Sequence, residues 1–186
     1  GVVSPAVFIP IAEEHKLDSA IGLQALEAAC DYISIIESQQ GDAIPLSVNI
    51  SANQMLDPEF PYQAMCICMD NDVSPELIEL ELTESVFIRD EKSALRALNT
   101  LRDHGFRLSL DDFGSGFSSL SYLRSFQFEV VKVDKSLIQG IHQDSKANAL
   151  FNGLIAMLKS LQIDVVAEGV ELESYLPFME QADIQL

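Results

Sequence analysis

The residues of this chain best equipped for chemistry are oxygen donors, and they recur at the ends of apolar runs. "NIS" supplies Asn49, "ELTES" Glu81 and Glu84, "LDDFGSGFSSL" Asp111 and Asp112, "KVDKS" Lys132 and Asp134, and "AEGVE" Glu168 and Glu171. Singly, each has an ordinary reading. Asp111 and Asp112 before Phe-Gly suit a turn or a helix cap, Asn49 suits a cap, and Glu81 and Glu84 suit a solvated rim. Glu171 suits a helix start, where the dipole favours a carboxylate. Lys132 is harder to set aside, because it interrupts the valines of "VVKVD", and a lysine flanked by buried strand residues is rare unless paired.

Together these residues point further. Several carboxylates aimed into one cavity repel each other and become protonated unless a divalent cation neutralises them. An all-oxygen set suits Mg²⁺ or Mn²⁺. His15, His104 and His142 fall in helical or loop stretches away from the strand ends and suit surface or packing roles. The natural reaction for a metal-carboxylate mouth beside a lysine is hydrolysis of a phosphate ester. Two cations about 3.5–4 Å apart would hold the phosphate and acidify a water. The lysine would orient that water or stabilise charge in the transition state, and no organic cofactor is needed.

The elements that must position these residues alternate. Strands are expected at 45–51, 77–85, 106–113, 129–136 and 163–170, with a sixth starting at "DIQL". Helices are expected between them. Ser4 and Pro5 start the first, Asp18 caps the second, Asp57-Pro58 opens another, and Asp90 and Gly105 bracket "EKSALRALNTLRDHG". "KANALFNGLIAMLKSL" offers Leu150, Leu154, Leu158 and Leu161 as an apolar stripe. Strand and helix alternating without a hairpin signal implies parallel strands with helical crossovers. Five consecutive strands delivering polar groups to one face fit the mouth of a (β/α)8 TIM-like barrel better than the single crevice of a doubly wound sheet.

Composition narrows the function classes. A net charge of -18 argues against a sequence-independent grip on polymeric nucleic acid or an anionic membrane, while leaving a small phosphate ligand possible if metal ions bring the positive charge. Cys30, Cys66 and Cys68 are odd in number and lack metal-ligand spacing, so neither a disulfide framework nor a zinc site is expected, and a cytoplasmic setting follows. No apolar run reaches membrane-spanning length.

"NIS", "ELTES", "DDFGSGFSSLSYL", "KVDKS" and "AEGVE", in this order and at these separations, resemble the EAL-domain family of cyclic di-GMP phosphodiesterases, over nearly the whole of residues 1–186. The resemblance implies one EAL-type (β/α)8 barrel domain, with about six strands in this chain, that cuts cyclic di-GMP to linear pGpG. It assigns Asn49, Glu81 and Asp111 to one metal, with Asp111 bridging to a second held also by Asp112 and Glu168, and sets Lys132 beside the hydrolytic water. Glu84 matches a glutamate that steadies the "DDFGSGFSS" loop, Glu171 matches a second acidic position, and Ser115, Gly116 and Phe117 become candidates for coupling the metals to a homodimer interface. A parent chain with sensor or diguanylate cyclase-like domains is expected.

The family's signature Glu-Ala-Leu is expected upstream of "SPAVFIPIAEE", so the domain reads as truncated at both ends. The alternative function is a non-catalytic domain that binds cyclic di-GMP or a protein partner.

Overall fold

In a computed structural model of the chain, residues 3–41, 43–115 and 121–184 are described. The chain divides into two compact units, residues 1–108 and 109–186. The first unit carries α1 (Pro5–Glu14), α2 (Asp18–Gln40), β1 (Leu46–Asn49), α3 (Ala52–Leu56), α4 (Phe60–Asp70), β2 (Ile78–Thr83) and α5 (Ser85–Asp103). Next comes β3 (Arg107–Phe113), which begins at the end of the first unit. The second unit continues with α6 (Ser121–Ser125), β4 (Val130–Val133), α7 (Lys135–Ile138), α8 (Ser145–Ser160), β5 (Asp164–Ala167) and α9 (Leu176–Ala182). The five predicted strands are present within a few residues of their expected bounds. Of the sixth, Gln185 and Leu186 lie outside the described residues.

Every strand pair within a unit is parallel: β1 with β2, β3 with β4, and β4 with β5. In the first unit Ile78, Leu80 and Leu82 alternate along β2 and are fully buried, as a strand period of two requires. Leu26, Cys30 and Ile33 of α2 and Phe60, Ala64 and Cys68 of α4, spaced at helical intervals, complete that core. In the second unit the core is aromatic and β-branched, with Phe113, Phe128, Val131, Val133 and Phe151 nearly inaccessible. No helix among the described residues is long and apolar enough to cross a membrane.

Local chemistry sets the helix ends. Ser51 and Gln54 form a reciprocal capping box that starts α3. Asp90 has non-helical dihedrals inside α5. Its carboxylate accepts from the Ser93 N–H and hydroxyl at 3.1 and 2.7 Å, so it caps the longer, C-terminal part of that helix. Gly105 follows with φ +95°, where only glycine is unstrained.

Two expectations change. Asp18 does not cap α2; it is the first helical residue, after Leu17. The leucine stripe of α8 is also displaced, for Leu150 is 73% exposed and Leu161 40%, while Phe151, Ile155 and Leu158 are buried. The two patterns share Leu158 and differ by about one residue of helix rotation, and the larger Phe151 decides which face turns inward.

Ile155→Ala should therefore cost about 2–5 kcal/mol in urea unfolding, and Leu150→Ala no more than about 0.5 kcal/mol. Comparable losses at the two positions would contradict the observed face.

Candidate metal and phosphate site

The first unit contributes two oxygen donors at strand ends. Asn49 and Glu81 are register partners across β1 and β2, as are Ser47 and Glu79 two residues earlier. The Ser47 hydroxyl donates to Glu79 Oε1 at 3.2 Å, so these positions share a face, and the two-residue period puts Asn49 and Glu81 on it as well. Beyond them the Ile50 N–H donates to the Glu81 carbonyl at 2.8 Å, which carries the pairing past the end of β1. Glu81 is 5% exposed, a buried carboxylate on the face opposite the leucines of β2, whereas Asn49 is exposed. Ser51 does the capping that Asn49 was also suited to, leaving the Asn49 amide for another role. Glu84 precedes α5 with helical dihedrals, and its carbonyl accepts the Phe87 N–H at 3.1 Å. Asn49 also borders a cleft of about 770 Å³ alongside β1, lined largely by Ile21, Ala25, Leu46 and Val48. That cleft is mainly apolar, with Glu13 and Asp18 the carboxylates among its lining residues.

The second unit carries oxygen donors of its own. A regular strand would point Asp111 and Asp112 to opposite faces. The register shows what happens instead: Leu110 pairs with Val131 and Phe113 with Val133, so Asp111 and Asp112 together oppose the single residue Lys132. This is a β-bulge, and Asp112 takes the left-handed backbone conformation within it, φ +54°. The Asp112 N–H donates to Asp111 Oδ1 at 2.8 Å, and the Ser115 N–H closes a turn on the Asp112 carbonyl at 3.1 Å.

Lys132 sits opposite Val166 of β5. Two residues further along the same face, the Glu168 carboxylate lies 3.5 Å from Lys132 Nζ, with side-chain exposures of 16% for the lysine and 45% for the glutamate. A pair this open to water contributes about 1 kcal/mol or less, so it matters for orientation more than for stability. The Glu168 N–H donates to the Val133 carbonyl at 3.1 Å and the Asp134 N–H to the Phe113 carbonyl at 3.1 Å, which lock the three strand exits together.

Two glycines close this corner, and sequence reasoning did not single them out. At Gly114, φ +88°, a Cβ would overlap the side chain of Leu137 of α7. At Gly169, φ +68°, one would meet Lys135 Cβ at 2.9 Å. The short helix α7 thus packs against the exits of β3 and β5 at once, and only glycine satisfies both the backbone and the space. Their positions, Gly114 two residues after Asp112 and Gly169 directly after Glu168, were the available signal.

Asp134, expected among the acidic strand-end groups, is the N-cap of α7 and accepts the Ser136 N–H at 2.9 Å. Glu171 is exposed beyond β5, and Ser115 is exposed. Gly116 and Phe117 lie outside the described residues. The oxygen donors on these strand ends, free of sulfur and imidazole, have the chemistry of an Mg²⁺ or Mn²⁺ site. Among the described residues, however, no three His, Cys, Asp or Glu side chains stand together as a cluster ready to hold an ion.

The Asp134 cap makes a pH-dependent prediction. The Ser136 hydroxyl foremost, with the N–H groups of Ser136 and Lys135, holds this carboxyl below its usual range against the opposing effect of burial. A carboxylate lowered in the folded state stabilises the fold above its unfolded pKa of about 3.9, and the benefit disappears as pH falls through the folded value. Asp134→Ala should cost about 1 kcal/mol at pH 7, and the difference from the unaltered protein should shrink towards zero in acid. A loss independent of pH would contradict the capping role.

The EAL domain family model matches residues 1–186. An uncharacterized signaling protein of Caulobacter vibrioides is 39% identical over 98% of this chain and 22% of its own length. A cyclic di-GMP phosphodiesterase of Pseudomonas aeruginosa is 34% identical over 92% of this chain and 29% of its own. The solved structure of the PaMucR phosphodiesterase in complex with c-di-GMP covers 100% of this chain, with 75% of that chain matched, at a TM-score of 0.91 and 30% identity. The chain thus spans roughly a quarter of the curated relatives it matches. It belongs to the EAL-domain family and has that family's α/β, TIM-like barrel fold.

Proposed function

We propose that the whole protein hydrolyses cyclic di-GMP to linear pGpG with two divalent cations, Mg²⁺ or Mn²⁺. The observation that carries this reading is the bulge that sets Asp111 and Asp112 against Lys132, with Glu168 at 3.5 Å from the lysine. It concentrates carboxylate oxygens and one ammonium group on adjacent strand ends, and relatives named as cyclic di-GMP phosphodiesterases support the choice of substrate.

The residues that the family resemblance would assign to the cations are Asn49, Glu81, Asp111, Asp112 and Glu168. When bound, the cations offset the charge of the phosphodiester and acidify a water for in-line attack. The chain's own part is electrostatic and positional. Lys132, held half-buried between Val131 and Val133, keeps its ammonium beside the Glu168 carboxylate, orients the attacking water and stabilises the negative charge that grows on the phosphoryl oxygens. Its contact with Glu168 restrains the position of the ammonium. Water forms the new P–O bond and the P–O3′ bond breaks, leaving a 5′-phosphate on the linear product.

The test is turnover of cyclic di-GMP by the whole protein with Mn²⁺ and again with excess EDTA. Metal-dependent pGpG is expected, and tight binding of the dinucleotide without product would instead make the domain a receptor. Lys132→Ala should lower kcat by about 10²–10⁴-fold with Mn²⁺ affinity nearly unchanged; an unchanged kcat would remove the lysine from the chemistry.

A further inference from the structure

A polar chain in the first unit links the two strand exits that carry Asn49 and Glu81. Asp18 is 4% exposed, and its carboxylate serves no cap on its own helix. Oδ2 accepts from the Ser51 hydroxyl at 2.6 Å and from Asn53 Nδ2 at 2.9 Å. Asn53 Oδ1 in turn accepts from Arg89 Nη1 at 2.7 Å. Arg89 belongs to the helical turn that directly follows β2, before the break in α5 at Asp90. Ser51, two residues after Asn49, gives its hydroxyl proton to Asp18 while its oxygen accepts the Gln54 N–H at 3.2 Å. Gln54 is itself pinned, because its amide lies where a Cβ on Gly22 would sit.

The arrangement is an expensive way to hold a fold together. Asp18 Oδ1 is buried and accepts no hydrogen bond from the protein, and no basic side chain among the described residues pairs with this carboxylate. A buried carboxylate without a partner charge is less favourable than an apolar side chain of similar size. What the carboxylate does supply is direction, since two charge-assisted hydrogen bonds on one oxygen leave the turn after β1 little freedom.

We infer that Asp18 is a positioning residue for the metal-binding end of β1: through Ser51 and Asn53 it fixes the turn behind Asn49, and through Arg89 it ties that turn to the exit of β2 behind Glu81. This rests on the metal-dependent reading above. Groups that orient ligands in this indirect way typically change metal affinity by 10–100-fold when removed.

The experiment measures the Mn²⁺ dissociation constant of the whole protein, unaltered and with Asp18→Ala, Asp18→Asn and Arg89→Ala, alongside the melting temperature of each. Asp18→Ala should weaken Mn²⁺ binding about tenfold or more, with turnover recovering at saturating Mn²⁺. Asp18→Asn, which keeps an acceptor for Ser51, should restore part of the affinity. Arg89→Ala, at an exposed position that leaves the core intact, should weaken binding by about two- to threefold and keeps the test valid if Asp18→Ala does not fold. Mn²⁺ affinity within twofold of the unaltered protein in both Asp18→Asn and Arg89→Ala would overturn this inference alone. No Mn²⁺ binding by the unaltered protein would overturn the metal-dependent reading and this inference with it.

Discussion

Two adjacent residues of a β-strand cannot both oppose one residue of the neighbouring strand while the strand stays regular, and the strand ends of the second unit are organised around that constraint. The bulge in β3 relieves it by letting Asp111 and Asp112 oppose one residue, Lys132. The cost is a non-glycine residue in the left-handed region at Asp112, on the order of 1–2 kcal/mol. Around it, Gly114 and Gly169 take positive φ angles and leave room for Leu137 and Lys135, so that α7 seals the corner from below. The Asp134 cap, the Lys132 and Glu168 contact, and the backbone bonds from Asp134 to Phe113 and from Glu168 to Val133 all depend on this local geometry.

The first unit solves a different problem by different means. Its donors lie on regular, in-register strands, so no bulge is needed to bring Asn49 and Glu81 to one face. What needs control there is the chain just after the strands, and a polar network running from buried Asp18 to exposed Arg89 supplies it. In both units the strand ends are fixed by directional contacts, whereas the elements are held by apolar burial. That division lets a site stay rigid without demanding that its polar members stabilise the fold.

Much of this was legible in the residue order. Period-two runs of Ile, Leu and Val marked the strands, and the alternation with helical stretches implied parallel pairing. The donors at the strand ends, and the motifs around them, were open to reading because a strand end is also a change in composition. The bulge was only half legible: "DDF" after "LSL" violates alternation for one of its carboxylates, but a sequence does not say whether the strand stops or swells. The α8 face was misread because Leu150, Leu154 and Leu161 make as good a helical stripe as Phe151, Ile155 and Leu158, and only packing tells them apart. Asp18 looked like a cap because Asp before a helix usually is one; its partners Ser51 and Asn53 are more than thirty residues away, beyond any local pattern.

The central claim is that the bulged carboxylates exist to share cations. The most direct test is a crystal structure of the whole protein grown with Mn²⁺ and measured at the manganese absorption edge. The account predicts anomalous manganese signal beside the carboxylates of Asp111, Asp112 and Glu168. No anomalous signal at Asp111, with its carboxylate still turned back onto the Asp112 N–H, would contradict it.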